Sequence, residues 1–439
     1  MITPNIFLMN KRKRLYLAGA ALVVLLNAAA WNSAAFSDWY IEHIFPLWVG
    51  TYGRVTGLFS FSVGEWMLAA GAAAAVLALV LGMLWILLGI RLAVLTVKRL
   101  AAGGSESGSR SRFRQSGGSL GEARWAEGRE SAPERGSFFR RVSLGYGRFL
   151  AWTLLTLSLV MTLNCFILYH ASPIFGQYTE EENEYSLTEL ISLYNMAAER
   201  CNSLAEVIER DGSGMALYKG RGAAEDTLRD MADEARELMR ALGETYPRLQ
   251  GYYPRPKPLR FSDFMCQQHM QGYYFPFSME ANYNDVMYIL NIPSSMCHEL
   301  AHLRGYIYED EANFIGYLAC LQSEDDFFRY AGYLSVLTYL NNDLYRAWKD
   351  NPEAFREAAA EIQPVTVDDR VWEDNIFVTQ EEWDRINGKA LIDTEIVDKA
   401  ADAFIDTNLK VNGVAEGKKS YSKVVRLLLQ YYRLMQGSS

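Results

Sequence analysis

The chain has 439 residues, a formal net charge of −9 and 50% hydrophobic residues. This length predicts about two or three folding units. The acidic balance argues against a nucleic-acid partner, because phosphate binding requires clustered Lys and Arg. The five cysteines form no CxxC pair, which favours free buried thiols over a disulfide framework.

Apolar residues are concentrated in residues 1–171, where three runs have the composition of membrane spans: 15–36, 66–95 and 149–171. A bilayer core is crossed by about 20 apolar residues, so each run predicts a transmembrane helix. The first run follows Lys11-Arg12-Lys13-Arg14 and also fits a cleavable signal peptide. Its length favours an uncleaved anchor.

Positive charges flank these runs unequally. The N-terminal tail and the connection between the second and third runs are rich in Lys and Arg, whereas Arg54 alone lies between the first and second. Cytoplasmic loops carry an excess of Lys and Arg. We therefore predict a multi-pass protein of the cell membrane with a cytoplasmic N-terminus and an extracytoplasmic domain over residues 172–439.

The connection over residues 101–145 is rich in Gly, Ser, Arg and Glu. Such a composition cannot bury apolar surface and predicts a disordered cytoplasmic linker. A regulatory role is an alternative to a plain solvated linker.

The second half predicts a mainly α (α+β) domain. Ser186 and Glu189 form a capping-box pattern before a helix over 187–210. Further helices are predicted over 223–243, from Pro293 to about 362, and over about 420–435. Aromatic and β-branched residues between Leu259 and Ile292 predict one or two short strands.

Residues 298–302 read His-Glu-Leu-Ala-His. Residues four apart share a helix face, so His298 and His302 can bind one Zn²⁺. Glu299 projects beside the metal and is predicted to be the general base that takes a proton from zinc-bound water. The alternative is a helix with two partly buried histidines and no metal.

A third zinc ligand is expected in the segment that follows Gly305. In peptidases with glycine three residues after the second histidine, another histidine often follows; here that position is Tyr308. An acidic ligand on a second helix is therefore expected. Glu309 begins Glu-x-x-Ala-Asn, which resembles the Glu-x-x-Ala-Asp of glutamate-ligand zinc peptidases. The resemblance implies that Glu309 binds zinc and that Asn313, replacing the Asp, orients a ligand histidine. Glu311 is the alternative ligand.

Three spans followed by Gly-x-Tyr-Phe-Pro-Phe-x-x-Glu-Ala-Asn, His-Glu-Leu-Ala-His-x-x-Gly and Glu-Asp-Glu-Ala-Asn-Phe resemble a bacterial membrane family, domain of unknown function 3810. The resemblance implies bacterial origin and a zincin-like metallopeptidase domain with a small edge-strand region. It implies no particular substrate.

Other polar residues are weaker candidates. Glu280, Asn282 and Asn284 are placed to line a cleft beside an edge strand, although a surface loop explains them equally well. Tyr421 is a candidate stabiliser of the oxyanion in peptide hydrolysis; a packed core tyrosine is the plainer interpretation.

Together these patterns predict a membrane-anchored zinc metallopeptidase that hydrolyses peptide bonds in a peptide or protein substrate by zinc-hydroxide attack. Two other classes remain open. One is a membrane sensor that uses a metallopeptidase-like fold, and the other is a non-catalytic module stabilised by zinc.

Overall fold

Helices make up most of the protein, as the sequence predicts. The computed structural model describes residues 10–103, 134–174, 185–411 and 423–437. In the membrane-associated part the helices are α1 (Lys11–Asn32), α2 (Ala34–His43), α3 (Phe45–Thr56), α4 (Val63–Gly103) and α5 (Glu134–Met161), the last followed by a π-helical turn (Thr162–Phe166) and a 3₁₀ turn (Leu168–His170).

The remaining elements carry and surround the candidate site. They are α6 (Leu187–Val207), α7 (Glu225–Thr245), β1 (Lys257–Pro258), α8 (Ser262–Cys266), β2 (Gly272–Phe275), β3 (Glu280–Tyr283), α9 (Ile292–His302), α10 (Glu309–Leu321), α11 (Asp326–Asp350), α12 (Pro352–Glu361), α13 (Asp369–Asp374), α14 (Gln380–Lys389), α15 (Thr394–Val411) and α16 (Lys423–Gly437).

Three helices are long and apolar enough to cross a membrane: Lys11–Asn32, Val63–Leu95 and Arg140–His170. The sequence placed all three, with shifted limits. The first ends at Asn32 rather than residue 36, because Ser33 is extended and caps a new helix, α2, by accepting a hydrogen bond from the Phe36 backbone N–H.

The predicted disordered linker is partly helical. Residues 101–103 end α4, and residues 134–145 form the start of α5. Residues 104–133 of the predicted linker lie outside the described part of the chain. The prediction is therefore wrong at both ends of the segment, where the helices of the apolar spans continue into polar sequence.

The chain divides into two compact units. One comprises Trp66–Thr156, where the hydroxyl of Tyr146 donates a hydrogen bond to the carbonyl of Ala74. The other comprises Met1–Glu65 together with Leu157–Ser439 and contains the candidate site.

Residues 33–62 do more than connect two spans. The hydroxyl of Thr56 on α3 donates to the carbonyl of Ser278 at 2.8 Å. Asp38 on α2 accepts hydrogen bonds from the backbone and side chain of Ser172 at 2.8 and 2.7 Å. The segment thus packs as two helices on the domain that follows the third span.

The three described strands form one sheet in the order β1-β3-β2. β2 and β3 are antiparallel, with Gly272 opposite Tyr283 and Phe275 opposite Glu280, whereas β1 is parallel to β3. The sequence predicted one or two short strands in this region, where the hairpin lies, but not the two-residue β1. In this sheet β2 is an edge strand.

The polar residues in and just after β3 do not line a cleft and are not on a surface loop. Glu280, Asn282 and Asn284 are at most 1% exposed. Asn284 donates to the carbonyl of Met270 at 3.1 Å. Glu280 forms an ion pair with buried Lys257. Both expectations for these three residues are wrong, because all three side chains are buried and those of Glu280 and Asn284 pair with a buried charge and a backbone carbonyl.

Candidate metal centre

α9 carries the two histidines of the motif. Its first turn contains Pro293, whose fixed φ suits a helix start. The helix is buried along almost its whole length in the core of the unit. His298 and His302 lie one turn apart on one face, and their Nε2 atoms are 3.1 Å apart.

Both imidazoles are held through their other nitrogen. His298 Nδ1 lies 2.8 Å from Oδ1 of Asn313, and His302 Nδ1 lies 2.7 Å from the carbonyl oxygen of Tyr306. Each acceptor favours a proton on Nδ1, which leaves the Nε2 lone pair free for a cation. The two Nε2 atoms therefore form a preorganised pair of donors.

The turn after α9 explains the role of the Tyr306 carbonyl. Gly305 has a φ of +83°, which residues with a Cβ rarely adopt. Arg248 donates to the carbonyl of Arg304 at 3.3 Å and also to that of Gly305. The chain consequently folds back beneath His302. Sequence reasoning did not identify Tyr306, since a backbone carbonyl leaves no residue-type signal.

Glu309 begins α10 and faces the histidine pair. Its carboxylate lies 3.1 Å from Nε2 of His298 and 3.9 Å from Nε2 of His302. Tetrahedral zinc with bonds of 2.0–2.1 Å separates its ligand atoms by about 3.3 Å. The three donor groups therefore have nearly the spacing that one zinc ion requires.

Glu311, the alternative ligand, lies elsewhere. Its carboxylate accepts a hydrogen bond from the backbone N–H of Ile174 at 2.6 Å, and it makes no described contact with the histidines. Burial raises the pKa of Glu311 to about 7. It ties α10 to the chain just after the third span.

Glu299 is buried beside the two histidines, and one of its carboxylate oxygens lies within 4.8 Å of a ring nitrogen of each. Its Oε1 lies 4.0 Å from Nε2 of His298, and its Oε2 has no hydrogen-bond partner among the described residues. Gly272 of β2 passes so close that an added Cβ would lie 2.9 Å from Oε1 of Glu299. Glycine at this position leaves the carboxylate its space.

The electrostatics of the protein groups favour a positive charge at this point. Burial disfavours a charged His298, but the hydrogen-bonded carboxylate of Glu309 outweighs burial and raises the pKa of His298 to about 9. Burial opposes ionisation of Glu309, yet His298 lowers its pKa to about 2. Burial and the charge on His298 lower the pKa of His302 to about 4. The negative charge of Glu309 that stabilises a proton on His298 would also stabilise a bound metal cation.

Glu299 differs from Glu309 in its electrostatic surroundings. Burial raises the pKa of Glu299 to about 8. A pKa close to neutral lets a carboxyl group both take up and give back a proton at physiological pH.

The donor set fits zinc. Two imidazoles and one carboxylate are the protein ligands of one common class of catalytic zinc site, in which a fourth position is left for water or substrate. Asn313, which the resemblance implies orients a ligand histidine, contacts Nδ1 of His298 through its side-chain oxygen. Its amide donates weakly to the hydroxyl of Tyr339 at 3.5 Å, a contact that sequence reasoning missed. Tyr421 lies outside the described residues.

The family comparison covers this whole region. Residues 134–429, more than half of the chain, match the family described as protein of unknown function (DUF3810). No curated protein and no solved structure matches the chain. The resemblance seen in the sequence motifs is confirmed, and the chain belongs to the DUF3810 family.

Proposed function

We propose that this protein is a membrane-anchored zinc metallopeptidase that hydrolyses peptide bonds at the outer face of the membrane. His298, His302 and Glu309 would hold the zinc ion, and Glu299 is the general base. The proposal is supported by the spacing of the donor atoms, which lies between 3.1 and 3.9 Å for the pairs described above.

One observation carries the catalytic part of the proposal: the state of Glu299. A buried carboxylate oxygen without a hydrogen-bond partner destabilises the folded protein. A structural zinc site would need a fourth protein ligand besides His298, His302 and Glu309, and Glu299 would have to supply it. A hydrolase instead needs this carboxylate as a base, since a base must have a free lone pair beside the water that it deprotonates. The non-catalytic alternative would use Glu299 as a ligand and leave no base beside the water.

The residues divide the chemistry among them. A bound zinc ion supplies Lewis acidity, which lowers the pKa of a water molecule and polarises a carbonyl group. Glu299 accepts a proton through its unpartnered oxygen and can return it to the leaving amine. Asn313 and the Tyr306 carbonyl fix the imidazole orientations. Solvent and substrate reach the centre on the side of Glu309, whose side chain is 32% exposed.

The outward orientation is also part of this proposal. Exposed Lys11, Arg12, Lys13 and Arg14 open the first span and are typical of a cytoplasmic end. Hydrogen bonds join residues 38 and 56 to residues 172 and 278, so both segments must lie on the same side of the membrane. Two crossings between them, by the second and third spans, satisfy this requirement.

The function is tested on the full-length protein in detergent or lipid. Wild type is expected to contain one zinc per chain and to cleave members of a random peptide pool. Glu299→Gln should retain zinc and lose cleavage, whereas His298→Ala should lose both. Cleavage by Glu299→Gln at the wild-type rate, or a wild-type protein without zinc, would overturn the proposal.

The orientation is tested by cysteine labelling in intact cells. The five native cysteines are buried, so the background is low. A cysteine replacing Gly212, which has open space around it, should react with an impermeant thiol reagent. One replacing Ser107, between the second and third spans, should react only after the cells are opened. The reverse pattern would refute the outward orientation.

A further inference from the structure

The metal centre lies beside the end of the third span. The ring centroid of Tyr274 is 6.0 Å from that of His302. The hydroxyl of the same tyrosine donates to the carbonyl of Asn164 at 3.0 Å. Asn164 belongs to the π-helical turn within the third candidate span. One side chain therefore bridges a zinc-ligand candidate and a residue of the span.

A second contact reaches the same span from another ligand. Tyr308 immediately precedes Glu309, and its hydroxyl donates to the carbonyl of Tyr169 at 2.6 Å. The rings of Tyr308 and Tyr169 also meet edge to face, with centroids 5.5 Å apart. Tyr169 lies in the last turn of the third candidate span. Two independent contacts thus place the centre at the outer end of this helix.

Strand β2 leads from the centre to the start of the second span. Gly272 at one end of β2 packs against Glu299, and Phe275 at the other end packs against Gly64 in the first turn of α4. Four residues of strand extend about 13 Å. The proposed base is therefore about one short strand away from the point where the second span begins.

Exposed aromatic residues mark the level of the membrane surface. Trp31 ends the first span and Trp66 lies near the start of the second; they are 58% and 60% exposed. Such residues concentrate where the bilayer meets water. Phe261 is 59% exposed, and its backbone N–H donates to Glu65 in the first turn of α4 at 3.0 Å. This hydrogen bond holds the domain surface around Phe261 at the start of α4.

From these positions we infer that the proposed peptidase acts on peptide segments that lie next to a membrane anchor, namely the first residues beyond a lipid anchor or a transmembrane helix of another protein. The inference rests on the proposed function. The centre lies about 13 Å from a span end, and the headgroup layer adds about 5–8 Å. An extended chain advances about 3.3–3.6 Å per residue, so about five to six residues beyond an anchor suffice to reach it.

The test uses full-length protein in phospholipid vesicles and a pool of random peptides of about 40 residues. The pool is offered in three forms: acylated at the N-terminus, acylated at the C-terminus, and free. Cleavage positions are read by mass spectrometry, with Glu299→Gln vesicles as the background. Tethering raises the local concentration of every part of an acylated peptide. A preference for cut sites near the lipid over cut sites far from it within the same peptides therefore does not result from tethering alone.

In at least one acylated pool, cuts are expected to fall at least ten times more often in the ten residues nearest the lipid than in the ten farthest from it. The free pool should show no such bias. An even distribution in both acylated pools, or cuts concentrated far from the lipid, would overturn the inference while leaving the peptidase function intact. Absence of cleavage above the Glu299→Gln background in every pool would instead overturn the peptidase function, and the inference with it.

Discussion

Two buried glutamates lie near opposite ends of β2 and have opposite environments. Glu280 on β3 is 1% exposed and Glu299 on α9 is 4% exposed. The carboxylate of Glu280 is fully engaged: it pairs with Lys257 and accepts hydrogen bonds from Ser278 at 2.6 Å and from the backbone N–H groups of Val63 and Gly64 at 3.1 and 2.8 Å. One oxygen of Glu299 has no described partner.

The difference separates a structural acid from a candidate catalytic one. Glu280 binds the first turn of α4, where backbone N–H groups and the helix dipole favour a negative charge. Lys257 donates further to the carbonyls of Thr56 and Phe61 at 2.7 and 3.1 Å. This region fastens the start of a span to the sheet. At the proposed metal centre, one oxygen of Glu299 has no described protein partner, as a general base requires.

The largest expected effect comes from replacing one carboxylate oxygen of each glutamate by an amide nitrogen. Glu299→Gln should lower peptide cleavage by about 10²- to 10⁴-fold, the usual contribution of a general base, and leave the melting temperature unchanged or raised. Glu280→Gln is the matched control and should lower the melting temperature while the remaining folded protein keeps its zinc. Cleavage assays and thermal melts on both proteins measure the contrast. Equal melting temperatures, lower than wild type in both variants, would erase the distinction.

The next effect concerns the ion pair of the structural region. Lys257→Met should lower the free energy of unfolding by about 3–5 kcal/mol, because it leaves the charge of Glu280 buried and unpaired. Adding Glu280→Gln to Lys257→Met should recover part of that loss. Denaturant unfolding of the single and double variants measures it. A double variant less stable than Lys257→Met would show that the unpaired charge of Glu280 is not the cause of the lost stability.

Replacing the two acids of α10 sharpens the description of the centre. Glu309→Ala should weaken zinc binding by more than about 100-fold, beyond the range typical of a residue outside the ligand set. Glu311→Ala should keep zinc and lower the free energy of unfolding by about 1–3 kcal/mol, since the N–H of Ile174 loses its acceptor. Zinc titration and thermal melts distinguish them. Zinc loss in Glu311→Ala with normal binding in Glu309→Ala would reverse the ligand assignment.

The smallest effect belongs to the residue that positions His298. Asn313→Ala should weaken zinc binding by about 10- to 100-fold. Asn313→Asp should restore binding, because the carboxylate accepts the same hydrogen bond from Nδ1. Asn342→Ala, at an exposed position of α11, is the matched control and should bind zinc normally. If Asn313→Ala also bound zinc normally, the imidazole would not depend on this contact.

Local patterns predicted much of the fold. The capping box at Ser186 and Glu189 is present as expected, and α6 begins at Leu187. The three apolar runs each contain a helix long enough to cross a membrane. These features depend on neighbours within a turn or two, so residue type and spacing suffice to predict them.

Errors arose where a distant partner decides the environment. Glu280 looked like a cleft residue because the sequence does not show that Lys257 and the start of α4 meet it. The packing of residues 33–62 on Ser172 and Ser278 could not be predicted, because it involves chain separations of more than 100 residues.

The sequence by itself determined which residues of α9 share a face, because helix geometry places His298 and His302 together whatever surrounds them. It left Glu309 and Glu311 as alternatives, since both begin α10. Only the tertiary structure decided between their positions: the turn at Gly305 aims Glu309 at the imidazoles and Glu311 at Ile174. The choice depends on how two helices pack, and spacing along one helix cannot specify that.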